Sequence, residues 1–379
     1  MLGVLGFPLY FRRNRGRVLA LLSVVVLAVM EVSTVALLTG SLLGDLWVTL
    51  VAPLQYFSEV VAAGPEVPAA VARAIAAQPQ TLVLLPMLPE SVRVNTLLGP
   101  GTANVFAVPD SALPWFLAHT GLRLVSGRLP AAGRDEIALP EKVMRSRHLR
   151  LGSIIGQDVD PEEWLQGEWT VVGVLEGGMS AGVVPYGSMR AFLPLSDVPG
   201  VGSYAVFPRP GKAAALNAFL DTLPLAQVRV YTEAAEAQQY RSEVRLLDWL
   251  VWSINLVTVG VLSLAMGLLN NLYYRQRMEE YGILAALGYT NGLLARRALA
   301  EIAALMMLSW GLGLALTFGL TRALGHWVFG PEGISLPALD ARDLIFTTPI
   351  PVLIAAFTLW TVLQRLWRLD PVAVVERRD

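Results

Sequence analysis

Residues able to do chemistry are few in this chain, and they are scattered. Four carboxylates, Asp158, Asp160, Glu162 and Glu163, crowd one short stretch and could hold a cation or work as paired acid and base. Pro161 and the loop-forming residues around it favour a solvated loop instead. The three histidines, His119, His148 and His326, are far apart and lack ligand spacing. There is no cysteine, which removes disulfides, thiolate metal sites and a thiol nucleophile. No Gly-x-Ser-x-Gly elbow suggests a Ser-His-Asp set. Gly211-Lys212 lacks the upstream glycine and the following Ser or Thr of a P-loop, so ATP binding in that manner is not expected. One acid stands out by position. Glu31 lies midway along the apolar run 18–43 and is read as the one carboxylate inside such a run. A charge there costs at least about 2.5–3.5 kcal/mol on insertion scales. It is either a group that gains and loses charge or a protonated structural acid facing Thr258 or Ser263; the structural role is the expectation.

The elements that must carry these residues are membrane helices. The 379 residues are 54% hydrophobic and 16% charged, with mean hydropathy +0.54, which is too apolar for an ordinary soluble protein. A net charge of -1 gives no footprint for nucleic acid. The runs 18–43, 246–272, 298–320 and 344–363 are each long enough to cross a bilayer, which takes about 20 apolar residues. Arg12, Arg13, Arg15 and Arg17 precede the first run, and Arg365, Arg368, Arg377 and Arg378 follow the last. Arg275, Arg277, Arg296 and Arg297 bracket the connector between the second and third. Basic flanks place both termini and that connector in the cytoplasm, and the chain in the cell membrane as a multi-pass protein. The first run is too long for a signal peptide and lacks a small-residue cleavage site.

Two of the helices overshoot the bilayer. The first pattern continues to residue 51, and the second begins after Thr232, an N-cap followed by Glu233 and Glu236. At 1.5 Å per residue they measure roughly 50 and 60 Å against a hydrocarbon core of about 30 Å. Each therefore carries a stalk outside the membrane. Trp249 and Trp252 mark the outer boundary of the second span, and Tyr273 and Tyr274 the inner one. Between the stalks, prolines and glycines punctuate β-rich pieces at 81–85, 92–97, 104–108, 136–139, 169–175, 203–207 and 227–231, with helical pieces at 68–77, 141–149 and 211–223.

The fold expected is thus a polytopic α-helical membrane protein with four transmembrane helices and one α+β extracytoplasmic domain inserted between helices 1 and 2. Its parts are a cytoplasmic segment 1–17, helix 1 with stalk 18–51, the outer domain 52–231, and stalk plus helix 2 at 232–274. They continue with a cytoplasmic coupling segment 275–297, helix 3 at 298–325, an outer loop 326–343, helix 4 at 344–364 and a tail 365–379. Ser253, Gly260 and Gly267 recur every seven residues on the second span, and Gly311, Ala315 and Gly319 every four on the third. Small residues let helices approach closely in lipid. They suit either a seam between two copies or packing within one four-helix unit.

Within the connector, a helix-compatible piece ends at Gly288 and puts Ile283, Leu284 and Leu287 on one stripe. With nothing of its own chain to pack on, it reads as a surface offered to a cytosolic partner. Its spacing, Glu280-x-Gly282-Ile283-Leu284-x-Ala286-Leu287-Gly288, resembles the coupling segment of the MacB/FtsX-type (type VII) ABC transporter permeases. Ala285 departs from the pattern, where Lys or Arg is commoner, and so does Tyr289, where a small residue is usual. The outer runs Gly127-Arg128-Leu129-Pro130, Asp135-Glu136-Ile137-Ala138-Leu139, Leu151-Gly152-Ser153 and Thr170-Val171-Val172-Gly173-Val174-Leu175 resemble the periplasmic core of MacB-type members. The tail from Leu369-Asp370-Pro371 is similar to the family's terminal motif.

The resemblance implies a permease subunit whose coupling residues Glu279, Glu280, Tyr281, Gly282, Ile283, Leu284, Ala286, Leu287 and Gly288 dock on a separate cytosolic ABC ATPase dimer. ATP and Mg would belong to that partner, with no cofactor or catalytic residue in this chain. Further partners implied are a second permease copy or homologue, an extracytoplasmic adaptor or substrate-delivery protein, and membrane lipids, with no nucleic acid. Closure of the ATPase dimer would move the outer domain through the long helices to export or extract a lipidic, peptide or drug-like substrate. Two other readings stay open: an FtsX-like signalling subunit that regulates a cell-wall hydrolase, and a membrane-anchored outer enzyme.

Overall fold

Breakers decide where this chain stops being helix. The first proline after Arg15 is Pro53, and helix α1 runs unbroken from Arg15 to Leu50. At 36 residues it is about 54 Å long. The computed structural model describes residues 15–96, 99–192, 201–330, 344–345 and 347–366. Among them α1 is followed by β1 (Ser58–Ala62), α2 (Ala69–Ala76), β2 (Thr81–Pro86), β3 (Leu88–Thr96), β4 (Gly99–Val108), α3 (Leu113–Thr120), β5 (Arg123–Gly127), β6 (Glu136–Pro140) and α4 (Glu141–Ser146). Then come β7 (Ile154–Ile155), β8 (Trp169–Glu176), β9 (Gly182–Pro185), α5 (Tyr186–Phe192), β10 (Ser203–Pro208), α6 (Ala213–Leu220) and β11 (Val228–Tyr231). The long helices α7 (Glu233–Ala286) and α8 (Asn291–Leu324) and the shorter α9 (Pro349–Leu366) complete the order.

The chain divides into two compact units, one from Met1–Gly40, Leu247–Ala323 and Leu336–Asp379, the other from Ser41–Leu246 and Leu324–Ser335. The first is helical. Val18, Leu22, Val25, Ala28, Val29 and Val32 of α1 recur at three- and four-residue steps and are buried together with Val259, Ile302, Leu305, Met306, Ile350 and Ile354. Helix α8 approaches α1 closely at Gly313, where a Cβ would fall 2.7 Å from the Val29 side chain. Among the described residues three helical stretches are long and apolar enough to cross a membrane: Leu22–Leu50, Glu233–Leu262 and Gly292–Phe329. Helix α9 opens on Pro349, whose missing N–H costs nothing at a first helical position.

Among the described residues the second unit holds two sheets. One is antiparallel, in the order β11-β1-β10-β2; the other runs β3-β4-β9-β6-β8-β5, with β7 also pairing β8 and with β4–β9 and β6–β8 parallel. Alternation assigns each face its core. Val60, Val206 and Val228 pack under α2 and α6. Leu85, Ala205 and Phe207, on the opposite face, meet Phe106, Val108, Ala138 and Val183 of the larger sheet around α3. Val105, Ala107, Leu139 and Val184 point the other way, onto α4 and α5. The expected strands are all present. The short strands β1, β5, β7 and β9 and the helices α3 and α5 were not expected from the sequence.

Helix α7 corrects one expectation. The coupling segment is not a separate short helix after Tyr274; α7 continues through it to Ala286, 54 residues and about 80 Å in all. No proline occurs from residue 225 to residue 330, and a single interior glycine such as Gly282 costs a helix only about 1 kcal/mol. The break comes at Gly288, where φ is +93. The start is as expected: the Ala235 N–H donates to Thr232 Oγ1 at 3.3 Å.

Candidate functional site

The turn between α7 and α8 is built from backbone outward. Tyr289 N–H reaches back to the Leu284 carbonyl at 3.1 Å, Gly288 takes the left-handed position between them, and Leu287 N–H bonds Ile283 O at 3.0 Å. This is the glycine-terminated helix end that satisfies the last orphan carbonyls. Thr290 then starts α8, its carbonyl accepting from the N–H groups of Leu293 and Leu294. Four residues thus reverse the chain with few degrees of freedom left.

Burial splits the predicted stripe. Leu284 is only 9% exposed and joins the helical core with Leu294, whereas Leu287 is 72% exposed. Ile283, Tyr289 and Leu293 are exposed as well. The expectation that this piece has nothing of its own chain to pack on is therefore corrected: Leu284 anchors the turn, and Ile283, Leu287, Tyr289 and Leu293 form its outward apolar cap. Gly288 supplies the backbone reversal. The backbone of Glu279, Glu280, Tyr281, Gly282 and Ala286 lies in the last turns of α7; their side chains lie outside the described residues.

Other singled-out residues take varied places. Glu31 sits with Leu27 and Leu38 on the exposed side of α1, opposite the buried stripe. The expectation that it faces helices of its own chain does not hold, because α1 is apolar all round and its sequence favours no face. The expectation of a single carboxylate inside the apolar runs is corrected: Asp248 falls inside the run 246–272, and Glu301, within the run 298–320 and helix α8, is buried. Ser253, Gly260, Gly311, Ala315 and Gly319 are exposed in the single chain, while Ser309, Gly313 and Thr317 form the small-residue face that packs internally. The surroundings of Gly267 lie outside the described residues, and so do Asp370 and Pro371. Ser33 Oγ and Asn255 Nδ2 are buried in the helical unit with no hydrogen-bond partner among the described residues.

The acidic stretch is a loop open to solvent at Asp158 and Glu162, as expected, but not at Glu163. Glu163 is fully buried, bonded by the Arg147 guanidinium and by the backbone N–H groups of Arg93 and Trp164 at 2.8 and 2.9 Å. Arg147 also pairs with Asp160 at 3.3 Å, and Arg93 with Glu162. Asp160, Glu162 and Glu163 are consumed in stapling the loop to β3 and the end of α4. No group of His, Asp and Glu among the described residues is arranged to hold a metal ion.

The Gly-Arg motif is likewise explained by packing. Gly127 has φ +80, and a Cβ there would lie 2.2 Å from the Val172 carbonyl. Arg128 bonds Val172 O through its own N–H and holds Glu136 with a two-pronged contact at 2.5 and 2.6 Å. That guanidinium, aided by the Ala131 N–H, holds the Glu136 carboxyl well down, at about 2. Glu59 is moved the opposite way: burial, with Glu236 nearby, pushes it up to about 7.

Where α1 enters the β-rich unit it is tied on several sides. Lys142 Nζ meets Asp45 Oδ1 at 2.6 Å, Asn104 Nδ2 donates to Thr49 O at 2.6 Å, and Tyr240 OH donates to Leu43 O at 2.7 Å. Trp47 packs edge-on to Tyr240 at 5.2 Å. None of these pairs has a sequence signal, since partners lie up to 197 positions apart.

Residues 252–371 match the family described as FtsX-like permease C-terminal. The matched residues contain the whole turn between α7 and α8, in agreement with the resemblance read from residues 280–288. No curated protein matches the chain. Among solved structures the chain is similar to the periplasmic region of MacB from Actinobacillus actinomycetemcomitans, at 15% identity and TM-score 0.31, over 50% of this chain and 94% of that one. It is also similar to the extracellular domain of the noncanonic ABC-type transporter YknZ from Gram-positive bacteria, at 13% identity and TM-score 0.29, over 46% of this chain and 100% of that one.

Proposed function

We propose that this chain is the transmembrane permease subunit of an ABC transporter, driven by a separate cytosolic ATPase dimer that supplies ATP and Mg. The observation that carries the reading is the capped turn between α7 and α8. It is an apolar surface of Ile283, Leu287, Tyr289 and Leu293, held on a reversed helix end inside the matched permease residues. Apolar residues set on a rigid support are what an interface centre requires.

On this reading the chain crosses the cell membrane four times with both termini inside, and a second permease copy packs on the exposed small residues. ATP-driven closure of the ATPase dimer pushes on the turn. Helix α7 carries the push, because one continuous hydrogen-bonded helix transmits axial force without a hinge. The ties of Tyr240 and Lys142 to the end of α1 pass it to the β-rich unit, which moves a lipidic, peptide or drug-like substrate. The test is co-purification with the ATPase: Ile283→Asp with Leu287→Asp should abolish it while membrane insertion stays normal. Undiminished ATPase binding by that double variant would remove the proposal.

A further inference from the structure

The β-rich unit contains a feature that coupling does not use. A surface cavity of about 330 Å³ is lined by Met144, Arg145, His148, Leu149 and Arg150. Its walls are set by backbone. Helix α4 ends with Leu149 N–H bonded to Met144 O at 2.8 Å and His148 N–H bonded to Arg145 O at 3.1 Å. His148 takes the left-handed position of that motif at φ 52, where glycine is usual. The next turn is closed by Arg150 N–H to Ser153 Oγ and Ser153 N–H to Arg150 O, both at 2.9 Å. Three basic side chains are therefore presented around one cavity by a backbone that cannot easily rearrange.

Their charges are not equally spent. Arg147, in the middle of the run, points into the protein and is consumed by Glu163 and Asp160. Arg145 shares its charge with exposed Glu141. Arg150 makes no ion pair among the described residues, and no carboxylate lines the cavity. The floor is apolar, with Met144 buried and Leu149 half-buried. Immediately beyond Arg150, Leu151 and Ile154 are exposed, and Leu151 lies over Gly127 at the end of β5, where Val125 is also exposed. Arginines that merely decorate a surface need neither a cavity between them nor an apolar strip beside it.

From this juxtaposition we propose that the cavity binds the phosphate headgroup of an anionic amphiphile. The oxyanion is held by Arg145, His148 and Arg150, and the apolar part lies along Leu151 and Ile154. Arginine suits this task because its planar fork of donors matches phosphate oxygens.

The test uses the purified full chain in zwitterionic nanodiscs, titrated calorimetrically with two probes, short-chain phosphatidic acid and inorganic phosphate. Phosphatidic acid should bind saturably and about tenfold or more tighter than phosphate, since a few buried methylenes are worth that much. Arg145→Gln with Arg150→Gln should weaken it about tenfold or more, because each arginine gives a charge-assisted hydrogen bond. The matching lysine pair should keep most of the affinity, and Arg123→Gln, on the exposed strand β5, should change nothing. Equal affinity for the two probes would overturn the apolar half of the assignment. No saturable binding of either probe, or full binding by the glutamine pair, would overturn it entirely.

Discussion

Replacing Glu59 by glutamine should stabilise this protein at pH 8 and do much less at pH 5. Glu59 lies on β1, an inner strand, opposite Ala205 on one side and Tyr231 on the other. Alternation sends Val60 into the α2–α6 core and turns Glu59 to the other face, the side of buried Ala205. Burial raises its pKa from 4.5 to about 7, and the carboxylate of Glu236 adds to the effect. The sign follows from proton counts. Between pH 4.5 and about 7 the folded state holds the proton that the unfolded state has lost, so stability falls as pH rises through this window. Above it a constant penalty remains. At ~1.4 kcal/mol per pH unit the full difference approaches about 3 kcal/mol, and water at the rim of this partly buried group reduces it to about 1–3 kcal/mol.

Glutamine keeps the shape and never ionises, so the variant escapes the penalty. The assay is thermal unfolding of the purified full chain at both pH values, followed by circular dichroism. For a unit of this size each kcal/mol is worth roughly 2–4 °C, so a midpoint several degrees higher is expected at pH 8. Glu236→Gln should give part of the same gain by removing the neighbouring charge. An equal gain at both pH values, or a loss at pH 8, would refute the reasoning.

Glu136 behaves oppositely to Glu59: its carboxyl is held down at about 2 by Arg128, so its stabilisation is present above pH 4.5 and lost as pH falls toward 2. Glu136→Gln should therefore lower the unfolding midpoint at pH 7 and matter less in acid. Gly127→Ala should cost about 2 kcal/mol or more in thermal or urea unfolding, because a methyl group there meets the Val172 carbonyl at a positive φ. Asn255→Leu should raise the unfolding midpoint, since its buried Nδ2 has no partner among the described residues and removing such a group recovers about 1–3 kcal/mol. In a chain without native cysteine, Ser111→Cys should react with an impermeant thiol reagent in intact cells and Asn291→Cys should not.

What was legible in the sequence was set by how far each signal reaches. Spans show because some 20 apolar residues in a row cannot be hidden. Strands such as Trp169–Glu176 show because they alternate cleanly between buried and open positions. Strand β5 does not, as all five of its residues are exposed and no alternation marks it. Facing is a different matter. A helix apolar all round says that it is surrounded, not by what, and so Glu31 could not be oriented from sequence. Glu163 was hidden for a related reason: its partners Arg93 and Arg147 come from another strand and another helix, brought to it only by the fold.

The coupling turn shows the same limit at the scale of one helical turn. Ile283, Leu284 and Leu287 fall within one broad stripe, and a stripe seen in sequence suggests one role. Their burial assigns two. Leu284 belongs to the core that includes Val18, Leu294 and Ile302, so Leu284→Asp would strand a carboxylate in that core and loosen the turn from its support. Loss of ATPase binding by that variant would say nothing about contact. Leu287, almost wholly in the open, contributes little to the fold of its own chain. If Leu287→Asp leaves the unfolding midpoint unchanged yet weakens ATPase co-purification, the loss is of contact alone, and a central interface leucine accounts for about 2 kcal/mol of it. Leu284→Ala should show the reverse balance, a lowered midpoint from the cavity it leaves, with binding recovered at low temperature. If Leu287→Asp instead lowered the midpoint as much as Leu284→Ala, the outward cap would belong to the fold, and the partner would have to sit elsewhere.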